Sequence, residues 1–290
     1  MNHFCKRIIT LTVILLCVML PVFADESEAA GRACDMTPVP IILYHHIAPE
    51  GEPDVVIPYE LFRSQLEAIR AAGYNTVTPS QMIAYVDGQG TLPPNPICIT
   101  FDDGYESNYL LAYPLLKQMH MRAAIFCIGS TFGHDTYKDT GTPIYPHFGI
   151  GAAYIMKRSG VIELHSHTYD CHQLETLDTP PIRFSVQRIE GETDEAYRAS
   201  LDADAKEMDK LMRDVTGHGV TCVSYPHGLH SEESEEVLKA NGVRMTLTTD
   251  PVGINYLRVG DPSSLYRLHR ITVTADMSSE ALVALIAAAG

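Results

Sequence analysis

The stretch Ile97-Cys98-Ile99-Thr100-Phe101-Asp102-Asp103-Gly104-Tyr105 runs from five strand-forming residues straight into two carboxylates and a glycine. A short apolar run with no polar alternation suits a strand buried on both faces, as in a parallel sheet covered by helices. Two adjacent acids at its end pack poorly. Like charges this close raise one pKa unless a cation lies between them or one is hydrogen-bonded. A metal ion would take one carboxylate and leave its neighbour free as a base. A pair of helix N-cap acids ahead of Glu106 would explain the same residues without any chemistry.

Working outward, similar short apolar runs occur at 41–44, 75–77, 123–128, 161–164, 221–225, 245–248 and 271–273. Between them lie segments of helical periodicity at 59–72, 109–120, 150–158, 194–215, 232–240 and 278–289, with glycine after several of them. The segment 132–145 is rich in Gly, Thr and Asp and is expected to be a long loop. Alternation of strand and helix predicts one α/β domain over 38–290, with a parallel sheet that is open or closed into a barrel. In such folds the chemistry collects at the carboxyl ends of strands.

Polar residues do follow the other strand candidates. His165-Ser166-His167-Thr168-Tyr169-Asp170-Cys171-His172 places three histidines within eight residues. Neutral imidazole binds zinc, nickel and cobalt. His167 and His172 are five apart, so a turn, not one face of a helix, would bring both to one ion. Two histidines and one carboxylate leave coordination positions open, as catalytic sites do. Tyr44-His45-His46 ends the first run, where an imidazole could serve as a general acid near neutral pH. Ser224-Tyr225-Pro226-His227-Gly228 suggests a rigid turn exposing a backbone N–H.

The chain has 290 residues, 46% hydrophobic and 20% charged, enough apolar content for a core. A net charge of −15 argues against a nucleic-acid partner. Thirteen histidines and no tryptophan are the unusual counts. Residues 1–24 have the pattern of an export signal: Lys6 and Arg7, an apolar run, then Val22-Phe23-Ala24. A retained N-terminal membrane anchor is the alternative; no later segment is long and apolar enough to span. Residues 25–37 are expected to be a linker, and the domain to lie outside the cytoplasm. Of the five cysteines after residue 24, Cys98, Cys127 and Cys222 sit in apolar runs and are expected to be buried thiols.

Together these residues resemble the polysaccharide deacetylase (NodB-homology) family, carbohydrate esterase family 4. The family's TFDDG motif stands at Thr100–Gly104, its histidine pair at His167-Thr168 and His172, and its Arg-x-Pro-Tyr-Gly turn only partly at 224–228. The resemblance implies a distorted (β/α) barrel of seven or eight strands and a divalent metal, zinc first with cobalt or nickel as alternatives. It implies metal ligation by Asp103, His167 and His172, with Asp102 as the base. The backbone N–H of His227 would hold the oxyanion. Several departures point to the branch that includes poly-N-acetylglucosamine deacetylases. The histidine spacing is five where four is common, Ser224 stands at the arginine position, and the usual tryptophan and Leu-x-His-Asp motifs are missing. In that branch the acid comes from the early Tyr-His, which makes His45 the expected acid, with His46 and His269 as alternatives. Arg270 is expected to replace the missing arginine, and Tyr105 and Tyr169 to stack on sugar rings. The expected substrate is an N-acetylated polysaccharide handled by a secreted or cell-wall-associated enzyme. A peptidoglycan deacetylase, an O-acetyl esterase and a non-catalytic sugar-binding relative are the other readings. The sequence leaves the oligomeric state open.

Overall fold

A computed structural model describes residues 36–50, 56–251 and 253–290. The segment 1–24 and most of the linker lie outside the described residues. The core of the structure is a curled parallel sheet of eight strands: β1 (Ile41–Tyr44), β2 (Asn75–Val77), β3 (Pro96–Phe101), β4 (Ala123–Cys127), β5 (Ile162–Ser166), β6 (Cys222–Ser224), β7 (Met245–Leu247) and β8 (Ile271–Thr272). Seven follow the order β7-β6-β5-β4-β3-β1-β8. The eighth, β2, pairs with the start of β3 (Asn75↔Pro96), while β1 pairs with its end (Tyr44↔Phe101). Just before β8, Leu268 bridges Leu247 of β7, and β8 itself pairs with β1. One short segment thus touches both edges of the sheet and closes it into the expected distorted barrel.

Among the described residues, seven α-helices accompany the strands: α1 (Tyr59–Ala71), α2 (Pro79–Val86), α3 (Tyr113–Gln118), α4 (Ile150–Arg158), α5 (Asp194–Thr216), α6 (Glu232–Ala240) and α7 (Ser279–Ala288). No described helix is long and apolar enough to cross a membrane. Strand alternation separates two cores. Ile97, Ile99, Phe101, Ile125 and Leu164 pack with residues of the helices, such as Phe62, Leu116 and Leu201. Ile41, Cys98, Phe126, Cys222, Met245 and Leu247 form a second cluster with Met82 and Val86 of α2. Cys98, Cys127 and Cys222 are buried thiols as expected, and Cys171 is another.

Four local differences from the sequence reading have physical causes. Met36 and Thr37, assigned to the linker, form a short strand against Leu257 and Arg258. The helix α2 escaped notice because it is short; its signal was Thr78-Pro79 with Gln81, a capping box with proline at the first turn. The helix expected over 109–120 opens as a π-turn at Asn108–Ala112, with Tyr113 N–H bonded to the Asn108 carbonyl. Pro114 lacks the N–H that would complete the regular ladder there. The loop at 132–145 contains a small hairpin, Thr136–Tyr137 against Thr142–Pro143.

One glycine is required for space. A Cβ on Gly129 would come within 3.0 Å of the Tyr169 Cα and closer still to its ring. Gly129→Ala is expected to destabilise the protein by about 1–3 kcal/mol, read as a lower urea midpoint with an unchanged slope.

Candidate active site

Parity along the strands selects what faces the barrel axis. On β3 the inward positions run Cys98 and Thr100, and Asp102 follows. On β5 they are Glu163 and His165, followed by His167; on β6, Cys222 and Ser224. Each list ends in a polar group at the carboxyl end of the barrel. The residue after Asp102 would normally turn away. Asp103 instead adopts a left-handed backbone (φ 70°), which swings its carboxylate back beside the first. Thr168 (φ 71°) and His227 (φ 56°) are likewise left-handed next to the site, and such strain persists only where surrounding contacts fix it.

Asp102 is fully buried and fully engaged. Arg270 grips it with two prongs, Nη1 to Oδ1 at 2.8 Å and Nη2 to Oδ2 at 2.7 Å. Ser224 Oγ donates to Oδ2 at 2.9 Å and accepts from Arg270 Nη2 at 2.8 Å. The Arg270 Nε donates to the Thr248 carbonyl at 2.7 Å. Burial alone would raise the Asp102 pKa, but the Arg270 charge, helped by His167, holds the carboxyl well below the usual range. Arg270 is thus paired with Asp102 by two bonds, and Ser224 bridges the two groups.

Asp103, His167 and His172 have ligand atoms within 4.8 Å of one another. The His167 Nε2 lies 3.6 Å from Asp103 Oδ1, and the His172 Nε2 4.0 Å from the same oxygen. That oxygen is buried with no hydrogen-bond partner, an arrangement that costs free energy without a cation. His167 Nδ1 sits 2.8 Å from the Ser224 carbonyl. A carbonyl only accepts, so Nδ1 carries the hydrogen and Nε2 keeps its lone pair toward Asp103. One carboxylate oxygen and two imidazole nitrogens suit a divalent transition metal with open positions. These residues fit such an ion.

The other expected residues divide. His45 faces the carboxylates: burial raises the Asp103 pKa, and His45, His172 and His167 together bring it below its ordinary value. The His45 Nδ1 is buried without a partner. His46 points elsewhere, with Nδ1 2.8 Å from Ser107 Oγ and its ring stacked on Tyr145. His269 lies against Gly253 and 3.8 Å from Asp250, and is not among the residues gathered around Asp103. The ring of His227, a residue expected to contribute mainly its backbone, also packs at the site. It packs 4.5 Å from His172 and stacks at 3.8 Å on Phe184. Burial and the neighbouring imidazoles lower its pKa to about 4.

Beside Asp103 and His172 opens a cleft of about 550 Å³. Tyr105, Tyr137, Tyr145, His147, Ile144 and Leu174 line it. Tyr105 is among the lining residues next to Asp103. Tyr169 does not line the cleft; its ring rests on Gly129. Tyr137 and Tyr145 come from the hairpin region and Phe184 from the segment before α5, where nothing in the local sequence marked them.

The polysaccharide deacetylase family profile matches residues 89–246. The Bacillus subtilis protein YxkH, named as a polysaccharide deacetylase, is 30% identical over 262 residues, covering 90% of this chain and 81% of that protein. The poly-beta-1,6-N-acetyl-D-glucosamine N-deacetylase of Staphylococcus epidermidis is 23% identical, covering 74% of this chain and 67% of that one. Among solved structures, IcaB from Ammonifex degensii superposes with a TM-score of 0.69 at 23% identity, over 86% of this chain and 97% of that one. A de-N-acetylase from Aggregatibacter actinomycetemcomitans gives 0.72 at 21% identity, over 86% and 100%. Strand order, site geometry and these likenesses agree: the chain belongs to the polysaccharide deacetylase family, carbohydrate esterase family 4, a family of hydrolases.

Proposed function

We propose that this protein is an exported, metal-dependent N-deacetylase acting on a poly-N-acetylglucosamine polymer. The observation that carries the proposal is the convergence of Asp103, His167 and His172 beside a separately held, ionised Asp102 at the head of the cleft. The relatives named as poly-beta-1,6-N-acetyl-D-glucosamine deacetylases support the choice of polymer, and the pattern of residues 1–24 supports export.

A divalent ion held by Asp103, His167 and His172, with zinc the best match to the donor set, would supply Lewis acidity toward the acetamide carbonyl and acidify water. Asp102 acts as the base that takes the proton of the attacking water. Arg270 and Ser224 fix the orientation of its carboxylate and keep it ionised. The His227 N–H, presented by the left-handed turn, faces the developing oxyanion. His45 delivers a proton to the departing amine. Tyr105 and Tyr145 offer ring faces to the sugar along the cleft wall.

Three outcomes are expected. Chelation with EDTA abolishes acetate release from N-acetylglucosamine oligomers, and added Zn²⁺ or Co²⁺ restores it; release that survives complete metal removal would refute the mechanism. Asp102→Asn lowers kcat by about 10²–10⁴-fold, measured as acetate from poly-N-acetylglucosamine, chitin, peptidoglycan and acetylated xylan in parallel. Arg270→Met strands a buried carboxylate and is expected to cost about 3–5 kcal/mol of stability, checked by urea denaturation. The pH consequence has a definite sign. A base must be ionised, and the folded-state pKa of Asp102 is depressed, so while Arg270 is present Asp102 does not set the acid limb; the ligand imidazoles, which must be neutral to hold a metal, protonate first. Without Arg270 the value rises, and the acid limb of the kcat/KM profile moves to higher pH.

A further inference from the structure

The four residues between His167 and His172 make one more than the commoner spacing, yet the loop is fully tied down. Thr168 N–H donates to Ser166 Oγ at 3.0 Å, and Cys171 N–H to Thr168 Oγ1 at 3.2 Å. The two in between are served from far away in sequence. Tyr169 N–H donates to Asp204 Oδ2 at 2.9 Å, and Asp170 N–H to Asp204 Oδ1 at 2.6 Å. On the opposite side, Gly129 N–H bonds the Thr168 carbonyl at 3.0 Å and Ser130 N–H the Tyr169 carbonyl at 2.8 Å. Lys138 Nζ grips the Asp170 carboxylate at 2.7 Å.

The three groups around the candidate ion are not held equally. Asp103 stands two residues past the end of β3, next to the buried Asp102. His167 follows directly on β5, its N–H on the Cys127 carbonyl at 2.8 Å and its Nδ1 on the Ser224 carbonyl at 2.8 Å. His172 stands on no strand: it is held by the loop that precedes it, by the Gln173 N–H on the Arg183 carbonyl at 3.1 Å just after it, and by ring contacts with His167 and His227. Asp204 lies within the long helix α5, well past its first turn, so its carboxylate is not needed to cap that helix. Turned into the protein, it accepts from two successive amides, one on each carboxyl oxygen; burial raises its pKa and these two donors act against that rise.

We propose that Asp204 is a positioning residue for metal binding: by clamping the Tyr169 and Asp170 amides it sets where His172 Nε2 stands relative to Asp103 and His167. This rests on the metal-site reading above. Removing the clamp leaves two amides without an acceptor and lets the His172 end of the loop drift, while β3 and β5 keep the other two ligands in place. The effect therefore falls first on metal affinity.

The test is zinc competition against a chromophoric chelator, using the full chain stripped of metal. Asp204→Ala is expected to weaken zinc binding by about 10–100-fold. Asp204→Asn keeps the volume and one acceptor oxygen and is expected to fall between Asp204→Ala and wild type. Activity lost at limiting zinc returns at excess zinc. A variant that melts cooperatively and binds zinc as tightly as wild type overturns the clamp. His172→Ala separates this from the underlying reading. If the wild type takes up no zinc, or His172→Ala binds as tightly as wild type, the metal site itself is wrong and the clamp falls with it. Hydrogen exchange on the unmodified protein covers the case in which the variants do not fold. The Tyr169 and Asp170 amides are expected to exchange slowly, and exchange at open-loop rates overturns the clamp.

Discussion

The pairing of Arg270 with Asp102 inside the barrel is the interaction on which the rest depends. Both groups are shut off from water, and desolvating either alone would cost several kcal/mol, of the order of ~3–5 for a broken pair. The cost is met by two parallel charge-assisted bonds, by Ser224 and by the Thr248 carbonyl. The partners come from the two places the barrel most needs to join. Asp102 follows directly on strand β3, and Arg270 lies in the short segment that closes the sheet between β7 and β1. The ion pair that orients the Asp102 carboxylate therefore also ties the closing segment to β3.

How much of this could be read beforehand follows from periodicity. Strands with short buried runs and helices with clear stripes appear where their patterns place them, within a residue or two. The polar residues after the strands also assemble, because the sheet is parallel and all its carboxyl ends lie on one side. Arg270 and Ser224 were legible as a substitution pair, since a lost arginine leaves a buried carboxylate in need of another cation. Other features were hidden. The left-handed turn at Asp103 is a property of backbone context that an Asp-Asp-Gly string does not announce. The His227 ring and Phe184 meet across a long stretch of sequence, and no local spacing encodes that contact. Tyr169 had the composition of a sugar platform but was claimed by packing on Gly129. A short helix such as α2 carries too few turns for its stripe to stand out.

The electrostatics divide the two acids by their surroundings. Asp102 meets a fixed guanidinium and a hydroxyl, so its charge is settled by the protein alone. Asp103 meets three imidazoles and keeps one oxygen unmatched. Identical side chains in consecutive positions thereby acquire unlike characters: one is a closed account and the other is open to a guest. The left-handed step between them makes this division possible, because an extended backbone would have sent the second carboxylate to the outer, helix-packed core.

The cleft wall has two sources: the hairpin around Thr136–Tyr137 with the residues just after it, and the ends of β3 and β4 with Asp103, Tyr105, Ile128, Ser130 and Thr131, while the Asp102–Arg270 pair is not part of the lining. Part of the rim thus stands on a piece of chain separate from that ion pair. Substitutions in the hairpin away from Lys138 can reshape the channel without touching the charges that do the work. The rim can therefore change its shape without disturbing the ion pair that closes the barrel beneath it.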